Sequence, residues 1–277
     1  HFLNFDFLNK KFSPAYGYIK NIGIPEAERI RRAEENYLNS RIVGGVPAAL
    51  GQYPFHAGLL GDVTGTPGVA VCGGSLVSAN RVITAAHCWF DGVHQIWRFT
   101  VVLGSTFLFT GGTRIETSAA VTHPSYVPTL SRNDVGILFL PVDVSFSDTI
   151  APIALPSRNE LFENFVGEPA IAIGFGATSG SITPDQPLNH VRLSVVTNTV
   201  CTIIFQVSIQ ASSICTSGVG GVGTCSGDSG GPLIAYRNDR PILIGVSTFT
   251  SSIGCQANLP SVYARTTAFM DFFNTHM

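Results

Sequence analysis

Apolar positions fall along this chain in two textures. From Pro25 to Leu38 ("PEAERIRRAEENYL"), charges of both signs surround scattered apolar residues, glutamates come early and a proline stands where a first helical turn tolerates one. That pattern predicts a short helix with a solvated, charged surface, a disordered linker being the alternative. From Ile42 onward, short β-branched or aromatic runs ("RFTVVLGS", "DVGILFLPV", "PAIAIGFG", "RLSVVTN", "PILIGVSTF") alternate with Gly, Pro, Ser and Asn clusters. Such spacing predicts an all-β barrel or sandwich. Helical periodicity returns in "TTAFMDFFNTHM", where Thr266 or Thr267 is placed to cap a short terminal helix over about 266–276.

Composition narrows the class. The chain has 277 residues, 45% of them hydrophobic and 12% charged, with 29 Gly and 16 Pro, so it is turn-rich and able to bury a large core. A formal charge of −2 gives no electrostatic footprint for nucleic acid, and no polybasic run points to a membrane surface. Apolar runs such as 135–140 are far too short to cross a bilayer, so neither nucleic acid nor membrane is expected as a partner. The chain begins at His1 without a Met, as expected when a secretory signal has been removed or left out. The six cysteines (Cys72, Cys88, Cys201, Cys215, Cys225, Cys255) show no metal-binding spacing and predict a disulfide-stapled, secreted, extracellular protein. Buried thiols in a cytosolic enzyme are the alternative, and spacing alone does not choose among the possible pairings.

Three stretches carry chemistry jointly, although each alone has a structural reading. "VITAAHCWF" holds His87, "SRNDVGILFL" holds Asp134 at the mouth of an apolar strand, and "GTCSGDSGGPL" holds Ser229 among glycines. A serine hydroxyl needs a base within hydrogen-bond reach, and a neutral histidine supplies one when a carboxylate on its other nitrogen fixes tautomer and orientation. Glycines around the serine let the N–H groups of Gly227 and Ser229 converge on a developing oxyanion, a contribution of roughly 3–4 kcal/mol per donor.

In the order His, Asp, Ser, the motifs TAAHC, NDVGIL and GDSGGP resemble those of the chymotrypsin-like (trypsin-fold) serine proteases. The segment Arg41-Ile42-Val43-Gly44-Gly45 resembles their activation junction, and the likeness runs from Ile42 to the C-terminus. Its texture is that of insect and crustacean brachyurin-type, collagenase-like chymotrypsins. Phe249 stands where vertebrate members carry Trp, and Gly174-Phe175-Gly176 replaces their GWG. The resemblance implies two six-stranded antiparallel barrels (about 42–150 and 151–265) with the site between them, a C-terminal helix, and an activation propeptide over 1–41. It also implies the pairings Cys72–Cys88, Cys201–Cys215 and Cys225–Cys255.

The same resemblance implies a zymogen. An activating trypsin-like protease would cut after Arg41, and the new Ile42 ammonium would meet Asp228, each charge making burial of the other tolerable. Until then Ile42 should lie far from Asp228 and the loop around Gly227 should be misformed. The specificity pocket would have Gly223 and Thr224 at its floor, Thr248, Phe249 and Thr250 along its wall, and Ser261 deep inside. With no carboxylate among these residues, uncharged apolar substrate residues are expected, and Thr250, where Gly is usual, should narrow the entrance. No metal or other cofactor is expected. The region from Gly104 to Thr122 has a single acidic residue, Glu116, whereas calcium needs about six to eight oxygen ligands. The expected partners are protein or peptide substrates, the activating protease and protein inhibitors. A catalytically silent homologue acting as a binding module is the competing reading, although His87, Asp134 and Ser229 are all present. Residues 1–41 contain no cysteine, so only non-covalent contacts, including packing of "HFLNFDFL", could hold them after cleavage, and slow dissociation is expected.

Overall fold

The computed structural model describes residues 13–39, 48–176, 187–251 and 255–277, apart from the side chains of 36–39 and 207. The stretch "HFLNFDFL" and the junction residues Arg41 and Ile42 lie outside them. Among the described residues, thirteen strands form two antiparallel sheets. The first holds β1 (His56–Val63), β2 (Val69–Ser78), β3 (Arg81–Thr84), β4 (Ile96–Leu103), β5 (Thr113–Thr117), β6 (Ala120–Thr122) and β7 (Gly136–Phe139). The second holds β8 (Pro169–Gly174), β9 (Asn189–Val196), β10 (Ser213–Thr216), β11 (Pro232–Arg237), β12 (Arg240–Phe249) and β13 (Ser261–Arg265).

The second sheet closes as the expected six-stranded barrel, in the order β10-β13-β12-β11-β8-β9. The first is an open, curled sheet of seven strands, β5-β4-β1-β2-β3-β7-β6. Its two edge strands, β5 and β6, are consecutive in the chain and joined only by Ser118 and Ala119. So short a link forces the edges together without a ladder between them. The Phe139 N–H donates to Ala119 O (2.9 Å) and Thr117 Oγ1 donates to Phe139 O (2.5 Å), bridging the gap. All five quoted apolar runs contain a strand. In β9 the pleat shows plainly, since Leu193 and Val195 point inward between exposed or half-buried neighbours.

The three disulfides are Cys72–Cys88, Cys201–Cys215 and Cys225–Cys255, as the resemblance implies. The short α2 (Ala86–Trp89) follows β3, and α3 (Asn198–Phe205) follows β9. The sequence reading did not mark α3, whose run of apolar residues carries no polar face to set a period. The terminal α4 (Met270–His276) is preceded by a 3₁₀ turn, Thr266–Phe269. Thr266 is fully buried and does not cap it, since the first turn is entered from Arg265 without a side-chain cap. Phe269, Phe272 and Phe273 bury the helix in the main core.

The largest departure from expectation is at the N-terminal end. A π-helical turn, Ile19–Gly23, leads into α1 (Ile24–Asn39), which is helical as expected but lies against β2 instead of standing in solvent. Its outer face carries ion pairs of Arg31 with Glu28 and Glu35, and of Arg32 with Glu28. Its inner face buries Ala27, Ile30, Ala33 and Glu34. Burial of side chains such as Ile19 and Ile30 stabilises the docked segment by about 1.5–3 kcal/mol each, before the cost of ordering it.

Candidate active site

The sheets meet where β2 passes the turn that carries Ser229. Gly73 N–H donates to Ser229 O (2.7 Å), and a Cβ on Gly73 would lie 2.9 Å from Gly231 Cα, so a side chain there would force the sheets apart. Gly230 has φ +80°, and a Cβ on it would collide with Thr84 Oγ1, which explains the glycine beside Ser229.

His87 stands on α2 and is fully buried. Its Nδ1 lies 2.7 Å from Asp134 Oδ2, and its backbone N–H donates to Asp134 Oδ1 (2.9 Å). Both carboxylate oxygens are thus committed to one residue, which fixes the ring orientation and keeps Nε2 outside that pair. Asp134 is equally buried, in the loop before β7. The cluster Cys72, His87 and Cys88 has metal-like spacing, but its two sulfurs are spent on each other in a disulfide.

Asp228 accepts the Gly176 N–H (2.7 Å) and the Cys225 N–H (2.8 Å). The residue is half-buried, and desolvation of its carboxyl raises its pKa to about 6 against the lowering pull of those two bonds. Gly174 packs so closely on this carboxylate that a Cβ there would collide with it.

The pocket residues converge. Thr224 N–H donates to Ser261 Oγ (3.2 Å), and a Cβ on Gly223 would lie 2.8 Å from the same oxygen. Thr224, Thr248, Phe249 and Thr250 line a cavity of about 610 Å³ that reaches Ser229. No acidic side chain lines it among the described residues.

One further residue is there that the sequence did not single out. Tyr18, from the N-terminal segment, is buried with its ring 4.8 Å from the His87 ring, edge to face. Its O–H donates to Val71 O (3.0 Å). Burial raises the phenol pKa above its usual range. Two more segment contacts flank this one: Ile19 N–H donates to the buried Asp91 carboxylate (2.7 Å), and Glu34 accepts the N–H groups of Leu108 and Phe109. The available signal was the spacing of Ala27, Ile30 and Ala33, an apolar stripe within the charged run. Nothing local marks Tyr18.

A buried histidine–carboxylate pair beside one β-sheet and a serine among glycines where the two sheets meet are the equipment of a serine hydrolase. The chain belongs to the trypsin family of serine proteases, whose family model, described as Trypsin, matches residues 42–273. Among curated relatives, the collagenase of Hypoderma lineatum is 34% identical over 84% of this chain and 85% of its own length. The brachyurin of Leptuca pugilator is 32% identical over 84% of this chain and 97% of its own. A solved structure of HL collagenase superposes with a TM-score of 0.75 at 32% identity, over 85% of this chain and 99% of that one.

Proposed function

We propose that this trypsin-family protease is a secreted endopeptidase made as a zymogen, with residues 1–41 as its propeptide and cleavage after Arg41 as its activation. Ser229 is the nucleophile and His87 Nε2 takes its proton, then delivers it to the leaving amine. Asp134 holds the imidazole and stabilises the imidazolium. The N–H groups of Gly227 and Ser229 receive the oxyanion. The freed Ile42 ammonium pairs with Asp228, whose carboxyl burial pushes toward its neutral form until a cation joins it.

The observation that carries the reading is the buried His87–Asp134 pair, with both carboxylate oxygens committed to one residue, while the Tyr18 ring that packs on His87 also lines the cavity reaching Ser229. It favours an active enzyme over a silent homologue. Because the pocket beside Ser229 is lined by hydroxyls, sulfur and apolar groups, cleavage follows uncharged residues, and Thr250 favours medium aliphatics over bulky aromatics. Three disulfides suit an oxidising, extracellular setting. The test is limited trypsin treatment followed by active-site labelling with an organophosphate and assay on chromogenic peptides. Peptides ending in Leu, Ala, Val or Phe are cleaved and those ending in Arg or Lys are not, while Ser229→Ala loses both labelling and turnover. Arg-ended peptides cleaved as well as Leu-ended ones would overturn the pocket assignment.

A further inference from the structure

The segment Ser13–Asn39 does more than precede a cut site. We propose that it is an inhibitor of this protease in its own right: it stays seated across the cleft after cleavage at Arg41, blocks the cleaved enzyme until it dissociates, and can rebind a second activated copy. The inference rests on the activation reading above.

Its seat spans the whole site. At one end Ser13 N–H donates to Thr129 O (2.7 Å), and Ser131 Oγ donates to Ser13 Oγ (2.7 Å). In the middle, Gly17 N–H donates to Asp91 O (3.1 Å) and Ile19 N–H to the Asp91 carboxylate, holding Tyr18 between them. The Tyr18 ring then covers His87, and the same residue lines the cavity that reaches Ser229. Beyond it, Ile30 reaches toward Gly227, the Arg29 guanidinium donates to Phe175 O (3.4 Å), and Glu34 takes two backbone donors from the first sheet. A substrate would have to displace this chain to reach Ser229.

The segment also does not offer itself as a substrate. A protease reads an extended chain whose scissile carbonyl is free to enter the oxyanion site. Here the carbonyl oxygens of Ser13, Ala15, Gly17 and Ile19 accept N–H groups from Tyr16, Tyr18, Asn21 and Ile24, so the backbone is closed on itself in turns. What the segment presents to His87 is the Tyr18 ring, and a phenol has no leaving group to expel. The cut falls after the last residue of α1, so every contact named here lies within the released fragment and survives cleavage. What cleavage removes is the tether, which converts an intramolecular contact into a bimolecular one.

The full chain is treated briefly with trypsin, which is then trapped with its own inhibitor. Mass spectrometry confirms the cut after Arg41 and an intact 41-residue fragment. Turnover of a Leu-ended chromogenic peptide per cleaved molecule is then measured from about 1 μM down to about 1 nM protein. The expected result is specific activity that rises at least tenfold on dilution, roughly, with a lag, while the fragment co-elutes on gel filtration at the higher concentration. In Tyr18→Ala that rise shrinks to less than about twofold. Wild type that is fully active at about 1 μM with its fragment intact overturns the proposal, whether the fragment is retained or released. The wild-type dilution series decides on its own should the variant not fold. Silence of both proteins at every dilution removes the protease reading beneath it.

Discussion

The helices at the two ends of the chain, α1 and α4, are of comparable character but are held by different chemistry. The terminal α4 is fixed by apolar contact. Phe273 is fully buried, and Phe269 and Phe272 pack edge-on against His123. A side-chain bond, Arg81 Nε–H donating to His276 O (2.8 Å), ties its end to the first sheet. The N-terminal α1 mixes a narrow apolar stripe with charged anchors: Glu34 on two amides, Arg29 on a carbonyl, and Tyr18 just ahead of the helix on Val71. An apolar face is non-directional and stays put, whereas each buried polar anchor needs its partner and becomes a liability when that partner moves. The difference separates a permanent part of the frame from one able to leave.

The largest effect is expected at the permanent end. Phe273→Ala should cost about 3–5 kcal/mol of stability, equally before and after the Arg41 cut, in urea unfolding. A loss confined to the uncut chain would break the comparison. Ile30→Ala should cost about 2–4 kcal/mol in the uncut chain and leave the separated protease unchanged, by the same measurement.

Protonation sharpens the contrast, because the cleft end holds buried carboxyls and α4 does not use any. Asp228 has its pKa raised by desolvation from 3.8 to about 6, and desolvation also raises Glu34. The fold thus favours their neutral forms. Stability from Asp228 is fully present below 3.8 and is lost as pH rises through about 6, a change on the order of 3 kcal/mol. His56, whose pKa burial lowers to about 3, acts oppositely as pH falls below its ordinary 6.5. The informative quantity is therefore the difference between wild type and Asp228→Asn across that window, which should grow in favour of the variant as pH rises. A flat difference would mean the carboxylate is as well solvated folded as unfolded. Smallest of all, Arg31→Ala removes exposed pairs to Glu28 and Glu35 and should shift stability by less than about 0.5 kcal/mol.

Much of the candidate site was legible because its signals are local. A serine flanked by glycines, a histidine beside a cysteine and an aspartate ahead of an apolar strand are each read within a few residues. Gly230 explains itself afterwards as a positive-φ position pressed on Thr84. The runs that form β8, β9 and β12 were readable as strands of a barrel or sandwich, and the family resemblance implied the closed barrel. The first sheet was not readable in this way, since its openness depends on the two-residue link between β5 and β6 and not on any strand pattern. Nor was Tyr18, an unexceptional tyrosine until Asp91, some seventy residues further on, takes its neighbour's N–H.

By itself, then, the sequence determined the class: an all-β serine protease with His87, Asp134 and Ser229 in order, six cysteines to pair, and a helical, charged lead-in. Strand period and turn chemistry act over a handful of residues and set the all-β texture, while the protease class follows from the resemblance of the three motifs in their order. Only the tertiary structure decided where the lead-in goes. A stripe of three small or branched residues among charges suits a solvated helix as well as a docked one. What settles it is whether some surface offers amides for Glu34, a carboxylate for Ile19 and a carbonyl for Tyr18. Those partners are Leu108 and Phe109, Asp91 and Val71, and they share one surface only once the first sheet has folded.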